Sequence, residues 1–595
     1  MSIKSGAHAL ENNAPTRAPS RHTRYLYGVV LLALACFSLS DWASPTTSIL
    51  SSQVSWPDST LLYHHKPGTV IPAVCPENPY NNPNLDCGSV IVPKDYFNTS
   101  VGVSSVAFGR IKATKPKKGS VFINPGGPGG SGVMLALRTP LLVDIIGPEW
   151  DIIGFDPRGI GYTRPATECF SSHDEMTLFN ANTVIEQGIT VSSIKNTTSS
   201  ILRDELVIQF RQFLALKESQ AKLCGEVMGD ELKYMGTANV VRDMDFMSEI
   251  FDGEGAKINY WGGSYGSILG AYLVNMLPER VGYAVIDGIA DPVAWANEPS
   301  HKWPANWVAH AEKTYDLFLN DCSAAGPALC PISEYKGEPI GDIEARLEAF
   351  FNTLAVSPLP VPFANRPGFL TSGAARNLLL IFLQRPVLWV EATHSLAEAI
   401  AGNGTALHNY MTQRGGSVTR LGVTCIDSPP PRSYKDFPTP EDLAEEGLRA
   451  LDEASIHFGL STGISEPDGG CQFWPVKGPE RFTGPWNATL EHPMLIVSNT
   501  HDPITPMKSG LLVNSLMPNS SVMLIQNGPG HCSLAMKSTC TIKTVRDYFS
   551  GIVPKNGTIC EVDNKTFQDP DEVAATEMSI EARAIKQLQQ AFWSI

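Results

Sequence analysis

The sequence lacks the features that mark several classes of protein. It carries 45 Lys and Arg against 60 Asp and Glu, a formal net charge of −15, so it has no excess of the positive charge that a nucleic-acid-binding surface needs. It contains no HExxH motif and no pair of cysteines at CxxC spacing, so we expect no metal and no organic cofactor. It also shows no repeat of fixed period, which argues against solenoids and propellers.

Long apolar runs are scarce as well, and the most prominent one lies near the N-terminus. Residues 25–39 (YLYGVVLLALACFSL) follow a polar stretch that carries Arg17, Arg21 and Arg24. The run is shorter than the roughly 20 apolar residues of a membrane-spanning helix, yet the stretch before it is long for a cleaved signal. We interpret residues 1–45 as a targeting segment, either a signal peptide or a signal anchor. The remainder is then secreted, or attached to a membrane as a type II protein, outside the cytosol.

Cysteines and glycosylation sequons favour the same oxidising compartment. Of twelve cysteines, Cys36 lies in the apolar run, which leaves eleven and therefore at least one free thiol. Spacing suggests five disulfides, with Cys532 left free: Cys75–Cys87, Cys169–Cys224, Cys322–Cys330, Cys425–Cys471 and Cys540–Cys560. Seven N-x-[ST] sequons are possible glycosylation sites: Asn98, Asn196, Asn403, Asn487, Asn519, Asn556 and Asn564.

The order of the predicted elements indicates an α/β fold with an inserted, mainly helical cap. Short apolar strands alternate with helical patterns between residues 87 and 291, as in βαβ units of a mostly parallel sheet. The alternation of strands and helices is absent between residues 292 and 491, and strands are predicted again after residue 491. The predicted strands cover residues 120–124, 150–155, 258–261, 283–286, 494–498 and 522–526. We divide the chain into a targeting segment (1–45), a linker and N-terminal extension (46–86), a first core part (87–291), a cap (292–491), a second core part (492–567) and a tail (568–595).

The strongest chemical signal is residues 261–267 (WGGSYGS), which match the G-x-S-x-G nucleophile elbow. An apolar strand precedes the motif and an apolar helical pattern follows it until Pro278. A strained strand-to-helix turn lifts a serine hydroxyl above the sheet, and Gly262 and Gly266 leave room where side chains would clash. Ser264 is therefore the predicted nucleophile.

A serine hydroxyl needs a base and a carboxylate that orients the base. In the α/β folds that carry this nucleophile elbow, the catalytic residues occur along the chain in the order serine, acid, histidine. Asp502 follows the predicted strand at residues 494–498, and His531 follows the next strand. His501 is the rival base, but it shares a loop with Asp502 and cannot easily present its ring to Ser264 while Asp502 binds that ring. We predict Asp502 as the acid and His531 as the base.

The glycine-rich segment at residues 124–132 (NPGGPGGSG) follows the first predicted strand. An oxyanion needs two preorganised N–H donors. In this fold one comes from the residue after the nucleophile, here Tyr265, and the other from such a loop. We choose Gly127 as the second donor, with Gly126 and Gly129 as rivals. A phosphate-binding loop is disfavoured because the lysine of a P-loop is absent.

Taken together, PGGPGGSG, DIIGFDPRGIGYTRP, WGGSYGS, HDPITP and GPGH resemble the proline iminopeptidase and tripeptidyl-aminopeptidase-like α/β-hydrolases. The resemblance extends from about Cys87 to Cys560, including the C-terminal region of that family. It implies an α/β-hydrolase fold with a helical cap, and release of residues from the free N-terminus of a peptide. Ser264, Asp502 and His531 match the family's triad, and the glycine loop matches its oxyanion loop.

Two features depart from that family. The loop begins with Asn124 where iminopeptidases usually carry His, and the cap shows no motif that aligns with their amine-binding acidic residues. Glu298 is a candidate for that role only because it lies near the start of the cap. The turn at residues 156–159 matches a structural turn beside the site.

The sequence thus predicts a secretory-pathway serine hydrolase, an exopeptidase that works through an acyl-enzyme. The alternative is an esterase, lipase or metabolite hydrolase with the same triad. A binding module with a dead site is disfavoured, because it would not need the complete set of serine, acid, base and glycine loop. We expect a monomer that acts on a peptide or a small ester.

Overall fold

A ten-stranded mixed sheet forms the centre of the molecule. The computed structural model describes residues 64–78, 82–413, 418–462 and 468–568, together with Trp56 and five residues between 583 and 590. The predicted targeting segment and most of the predicted tail lie outside the described residues. Within the described ranges, no helix has both the length and the apolar character needed to span a bilayer.

The strands lie in the order β1-β2-β3-β5-β4-β6-β7-β10-β11-β12. From β5 to β12 all neighbours are parallel, whereas β1, β2, β3 and β5 pair antiparallel. All six predicted strands are present, as β4 to β7, β10 and β11. The bounds are β1 Val70–Ala73, β2 Leu85–Pro93, β3 Val103–Ile111, β4 Gly119–Asn124, β5 Trp150–Phe155, β6 Ile258–Gly263, β7 Val281–Asp287, β10 Met494–His501, β11 Ser521–Pro529 and β12 Thr558–Glu561, with β8 Leu359–Val361 and β9 Gly368–Leu370 as a separate hairpin.

Helices cover both faces of the sheet, so its central strands are apolar on both sides. Successive side chains of a strand point to opposite faces: Val121 and Ile123 of β4 join one apolar cluster, and Phe122 joins the other. The helices are α1 Gly132–Arg138, α2 Leu142–Ile146, α3 His173–Asn180, α4 Val184–Gln187, α5 Ser200–Met228, α6 Thr237–Asp252, α7 Tyr265–Met276, α8 Pro292–Asn297, α9 Pro304–Trp307, α10 Ala311–Ala325, α11 Ile340–Val356, α12 Ser372–Leu383, α13 Trp389–Ile400, α14 Thr405–Gln413, α15 Val418–Asp427, α16 Pro440–Glu453, α17 Met507–Leu516 and α18 Thr539–Phe549.

The cap is built from two stretches of chain, which corrects the prediction that it occupies residues 292–491 alone. Helix α5 lies between β5 and β6, yet it packs along α16 of the later stretch. Arg203 and Arg211 of α5 pair with Glu445 and Glu441 of α16 at 2.6 and 3.0 Å. Roughly 100 residues separate β5 from β6, far more than the minimum a βαβ crossover needs. That excess length is the signal that the sequence analysis missed.

Residues 46–86, predicted as a linker and N-terminal extension, contribute to the sheet at their C-terminal end. β1 lies within this segment and forms the edge of the sheet, and β2 begins at Leu85. The Cys75–Cys87 disulfide joins the segment after β1 to β2. Pro72 is tolerated because β1 is an edge strand, but it hides the strand from a pattern search. The four remaining disulfides also match the pairs expected from spacing, and Cys532 is a free, buried thiol.

Candidate active site

Ser264 occupies a strained turn between β6 and α7. Its φ of 58° and ψ of −123° lie in a region that non-glycine residues rarely adopt, as expected for a nucleophile elbow. Its N–H donates to the Asp287 carbonyl at 2.9 Å. A Cβ added at Gly262 would lie 2.6 Å from the Gly266 carbonyl oxygen, and one at Gly266 would lie 2.9 Å from the Asn124 carbonyl oxygen. The tight turn therefore requires both glycines.

The structure brings Asp502 and His531 together at the carboxyl ends of β10 and β11. Nδ1 of His531 lies 3.1 Å from Oδ2 of Asp502 and 3.3 Å from Oδ1. Oδ1 also accepts hydrogen bonds from the N–H groups of Ile504 and Thr505 at 3.0 and 2.8 Å. Burial alone would raise the pKa of Asp502, but the charge of His531 and these hydrogen bonds hold that pKa below its usual value. The carboxylate is thus ionised beside the imidazole.

Thr505, which the sequence analysis did not single out, completes this arrangement. Its hydroxyl lies 2.6 Å from Oδ2 of Asp502 and 2.9 Å from Nδ1 of His531. A hydroxyl has one proton to donate. The ionised carboxylate of Asp502 can only accept a hydrogen bond, whereas Nδ1 of His531 can either donate or accept one, so the hydroxyl donates to Asp502. Thr505 then accepts from the Nδ1–H of His531. In the neutral imidazole the proton is thereby assigned to Nδ1, so Nε2 is the nitrogen that can act as a base.

The loop that carries His531 is held from two sides. The side-chain amide of Asn499 donates to the carbonyls of Gly530 and Cys532, on either side of His531, at 2.8 and 2.6 Å. The N–H of His531 donates to the carbonyl of Gln384, at the end of cap helix α12, at 2.9 Å. Both contacts join residues far apart in sequence, so no local motif could have indicated them. They fix the backbone of the predicted base against the sheet and the cap.

Two further buried groups lie beside this pair. The carboxylate of Asp287 accepts from the N–H of Ser533 at 2.8 Å and from its hydroxyl, and burial raises its pKa to about 6. The Cys532 thiol lies 3.5 Å from the Asp287 carbonyl oxygen. Burial and the charges of Asp287 and Asp502 raise the pKa of this thiol well above its usual value. The thiol is therefore neutral, and thiolate chemistry is disfavoured.

The glycine-rich loop after β4 packs against the nucleophile. A Cβ at Gly126 would lie 2.8 Å from the Cβ of Ser264 and 3.0 Å from the Tyr265 nitrogen. The N–H of Gly126 already donates to Oδ1 of Asn124 at 2.9 Å, whereas the N–H of Gly127 meets no acceptor among the described residues. Tyr265 is the first residue of α7, so its N–H has no intrahelical acceptor. These contacts favour Gly127 over Gly126 as the partner of Tyr265.

The rival base His501, the amine-binding candidate Glu298 and the turn at residues 156–159 take no part in the contact between Asp502 and His531. The ring of His501 bonds to the hydroxyl of Thr500 at 2.9 Å, while Asp502 bonds to His531. The side chain of Glu298 is exposed at the end of α8, so it is not a buried partner for an amine. In the turn at residues 156–159, Arg158 makes a buried, two-pronged contact with Asp243, a structural contact. The described residues contain no cluster of three or more His, Cys, Asp or Glu arranged to bind a metal.

These features define the class of protein: a serine hydrolase with the α/β-hydrolase fold. Residues 119–332 match the family model described as alpha/beta hydrolase fold, and residues 459–560 match the model described as TAP-like protein. The resemblance to the tripeptidyl-aminopeptidase-like α/β-hydrolases is thereby confirmed. The second match begins inside the segment that the sequence analysis assigned to the cap.

Three relatives show the range of this group. The chain is 29% identical over 506 residues to the serine protease Hip1 of Mycobacterium tuberculosis, covering 80% of this chain and 87% of that protein. It is 26% identical to carboxylesterase B of the same species, covering 80% and 86%. It is 24% identical to the tripeptidyl aminopeptidase of Streptomyces coelicolor, covering 78% and 80%. Among solved structures, an esterase from Thermogutta terrifontis matches with a TM-score of 0.30 and 11% identity, covering 78% of this chain and 98% of that one.

Proposed function

We propose that the protein is a serine exopeptidase that releases N-terminal residues or short peptides through an acyl-enzyme. The observation that carries this proposal is the contact of Asp502 and Thr505 with Nδ1 of His531, on the same sheet edge as the strained Ser264. Nε2 of His531 takes the proton of Ser264 as its hydroxyl oxygen attacks the substrate carbonyl. The N–H groups of Gly127 and Tyr265 stabilise the oxyanion.

The acyl-enzyme then forms and is hydrolysed by the same groups. His531 returns its proton to the leaving amine, the carbon–nitrogen bond breaks, and the acyl group stays on Ser264. A water molecule gives a proton to Nε2 as it attacks the ester, and the carboxylic acid leaves with Ser264 restored. Asp502 stabilises the imidazolium in both halves. The complete reaction consumes one water molecule and needs no other reactant.

The relatives favour a peptidase but leave an esterase as a second candidate. Two of them are named for peptide hydrolysis, and the third, carboxylesterase B, has similar identity and coverage. We expect the cap to set substrate choice in either case, because the end of α12 contacts the backbone of His531 and Arg420 of α15 contacts that of Gly127. An aminopeptidase must pair the substrate ammonium with a carboxylate or carbonyls, because a desolvated unpaired charge is costly.

We also propose that the protein works in a secretory or extracytosolic compartment. All seven sequon asparagines have exposed side chains, as glycan attachment requires. Five disulfides fit an oxidising environment. A mass shift after deglycosylation of protein from a eukaryotic secretory host would support the proposal. Complete absence of glycan at all seven positions would contradict the route through a glycosylating compartment.

A substrate panel tests the enzymatic proposal. Aminoacyl and tripeptidyl arylamides, with free and acetylated amino termini, are compared with short-chain and long-chain esters, and Ser264→Ala serves as the control. We expect arylamide turnover that falls about 10-fold or more on acetylation, since an ionic hydrogen bond to the ammonium is lost. Equal rates on free and blocked peptides would reject the aminopeptidase and favour the esterase. Full activity of Ser264→Ala would reject the serine mechanism.

A further inference from the structure

One cap helix, α15, contacts the glycine loop directly and is linked to Tyr265 through Thr237. Arg420 and Asp427 of this helix are seven residues apart, which is two turns, so their side chains leave the same face. Arg420 reaches the glycine loop, and Asp427 binds Thr237, whose hydroxyl contacts that of Tyr265 at the start of α7. The catalytic sheet edge is thus linked to the cap at two points about 10 Å apart along one helix axis.

At the first point, the Arg420 guanidinium donates through Nη1 to the carbonyl oxygen of Gly127. Its Nε and Nη2 form a two-pronged contact with Asp468, both at 2.8 Å. The side chains are 9% and 0% exposed. The planar guanidinium presents its N–H groups in fixed directions, whereas the ammonium of a lysine does not. Asp468 therefore fixes the guanidinium, and the guanidinium fixes the peptide group that follows Gly127.

At the second point, the Asp427 carboxylate accepts from the N–H and the hydroxyl of Thr237 and from Nε1 of Trp295. The Thr237 hydroxyl lies 2.6 Å from the Tyr265 hydroxyl. The Cys425–Cys471 disulfide ties α15 to the segment after Asp468, since Cys471 follows that residue by three positions. The disulfide therefore holds the segment that carries Asp468 close to α15, which carries Arg420 and Asp427.

The glycine loop needs such support because it has little stiffness of its own. Gly126, Gly127 and Gly129 all have positive φ, at 97°, 108° and 118°, and glycine loses more conformational freedom on ordering than any other residue. An oxyanion hole accelerates a reaction only when its donors are oriented before the charge develops. A charged hydrogen bond to the Gly127 carbonyl supplies that orientation from outside the loop.

We propose that Arg420, held by Asp468, is a positioning residue that orients the oxyanion loop through the carbonyl of Gly127. This inference rests on the proposed serine mechanism and assigns to the cap a part in catalysis besides substrate selection. Loss of the contact should weaken transition-state binding more than substrate binding. The effect should therefore fall on kcat, with KM changed little.

The test removes both charges of the Arg420–Asp468 pair together, so neither partner is left buried without the other. The buried Lys217, whose pKa is lowered by burial, raised by Asp468 and lowered by Arg420, loses the influence of both side chains. Arg420→Met with Asp468→Asn removes the contact and the charge of its partner together, and Arg420→Lys keeps the charge but loses the two-pronged contact.

Arg376→Met with Glu348→Gln is the matched control, because that pair is also two-pronged, lies in the cap and is 10% exposed on both sides, yet has no contact with Gly127. Phenylboronic acid, which forms a tetrahedral adduct with an active serine, reports on the oxyanion hole. Its affinity is read from protection against fluorophosphonate labelling.

We expect the Arg420/Asp468 double variant to lose about 10-fold to 100-fold in kcat and a similar factor in phenylboronic acid affinity, below the full loss of one donor. Arg420→Lys should fall between it and the wild type. Unchanged kcat and boronate affinity, or equal losses in the Arg376/Glu348 control, would overturn the inference. Labelling of Ser264 in the wild type is scored separately, so failure of the serine mechanism is seen as absent labelling.

Discussion

The hydroxyl of Thr505 forms a hydrogen bond of 2.9 Å with Nδ1 of His531. The same hydroxyl donates to Asp502 at 2.6 Å, so the predicted acid and the predicted base share a third partner. The Nδ1 proton is held between two oxygens, and the ring cannot rotate without losing both. This contact ties the orientation of His531 to the loop that carries Asp502.

Replacing Thr505 with valine should lower kcat by roughly 10-fold, since one hydrogen bond to a charged group is worth about 1.5–3 kcal/mol. Asp502 still binds Nδ1 in this variant, so the loss should be far smaller than removal of the acid. Thr500→Val is the control, because its hydroxyl bonds to the neighbouring His501 instead. Steady-state kinetics across pH 5–9 measure both. Equal kcat in the wild type and Thr505→Val would show that Asp502 alone orients the ring.

Replacing Asp502 with asparagine should cost several orders of magnitude in kcat, because the amide favours the wrong imidazole tautomer. The comparable loss in a serine protease is about 10⁴. Asp287→Asn is the matched control: its carboxylate is also buried and lies at the carboxyl end of a sheet strand, β7, but it bonds to Ser533. Rates on the best substrate of the panel decide between them. A large loss at Asp287 with a small one at Asp502 would transfer the acid role to Asp287.

The parts of the site that could be predicted are those with a local pattern. Ser264 and Asp502 directly follow β6 and β10, His531 lies two residues after the end of β11, and the glycines around Ser264 mark the turn. Gly127 follows a strand in the same way. The parallel strands β4 to β7, β10 and β11 are largely buried, and each contains a short apolar segment that a pattern search can find.

The parts that could not be predicted depend on long-range contacts. Arg420 lies 293 residues from Gly127 in sequence, and no spacing rule connects such residues. Strand β3 was missed because Ser104 and Ser105 are buried within it and interrupt its apolar pattern. The helices between β5 and β6 were assigned to the core because their own pattern does not show which surface they cover.

Cys532 should resist alkylation in the folded protein. The thiol is fully buried and its raised pKa keeps it neutral, so iodoacetamide lacks both access and a thiolate. Mass spectrometry after alkylation without reduction should find no modified cysteine among the described residues in native protein, and modified Cys532 alone after unfolding in guanidinium chloride. Rapid modification in the native state would mean that the loop beside His531 opens.

Asp427 should make the free energy of unfolding depend on pH. Burial raises the pKa of its carboxyl to about 6, although Thr237 and Trp295 donate to it; in the unfolded chain a carboxyl of this kind titrates near 3.9. Between about pH 4 and pH 6 the folded protein therefore binds a proton that the unfolded chain releases, so this group stabilises the fold less as pH rises.

Asp427→Asn removes this titration, and the difference in free energy of unfolding between wild type and variant isolates it from all other groups. Urea unfolding at pH 4.5, 6 and 7.5 should show the wild type losing on the order of 1–3 kcal/mol relative to the variant from the lowest to the highest pH. A difference that stays constant across this range would show that Asp427 is ionised throughout, held so by its hydrogen bonds and by Arg481.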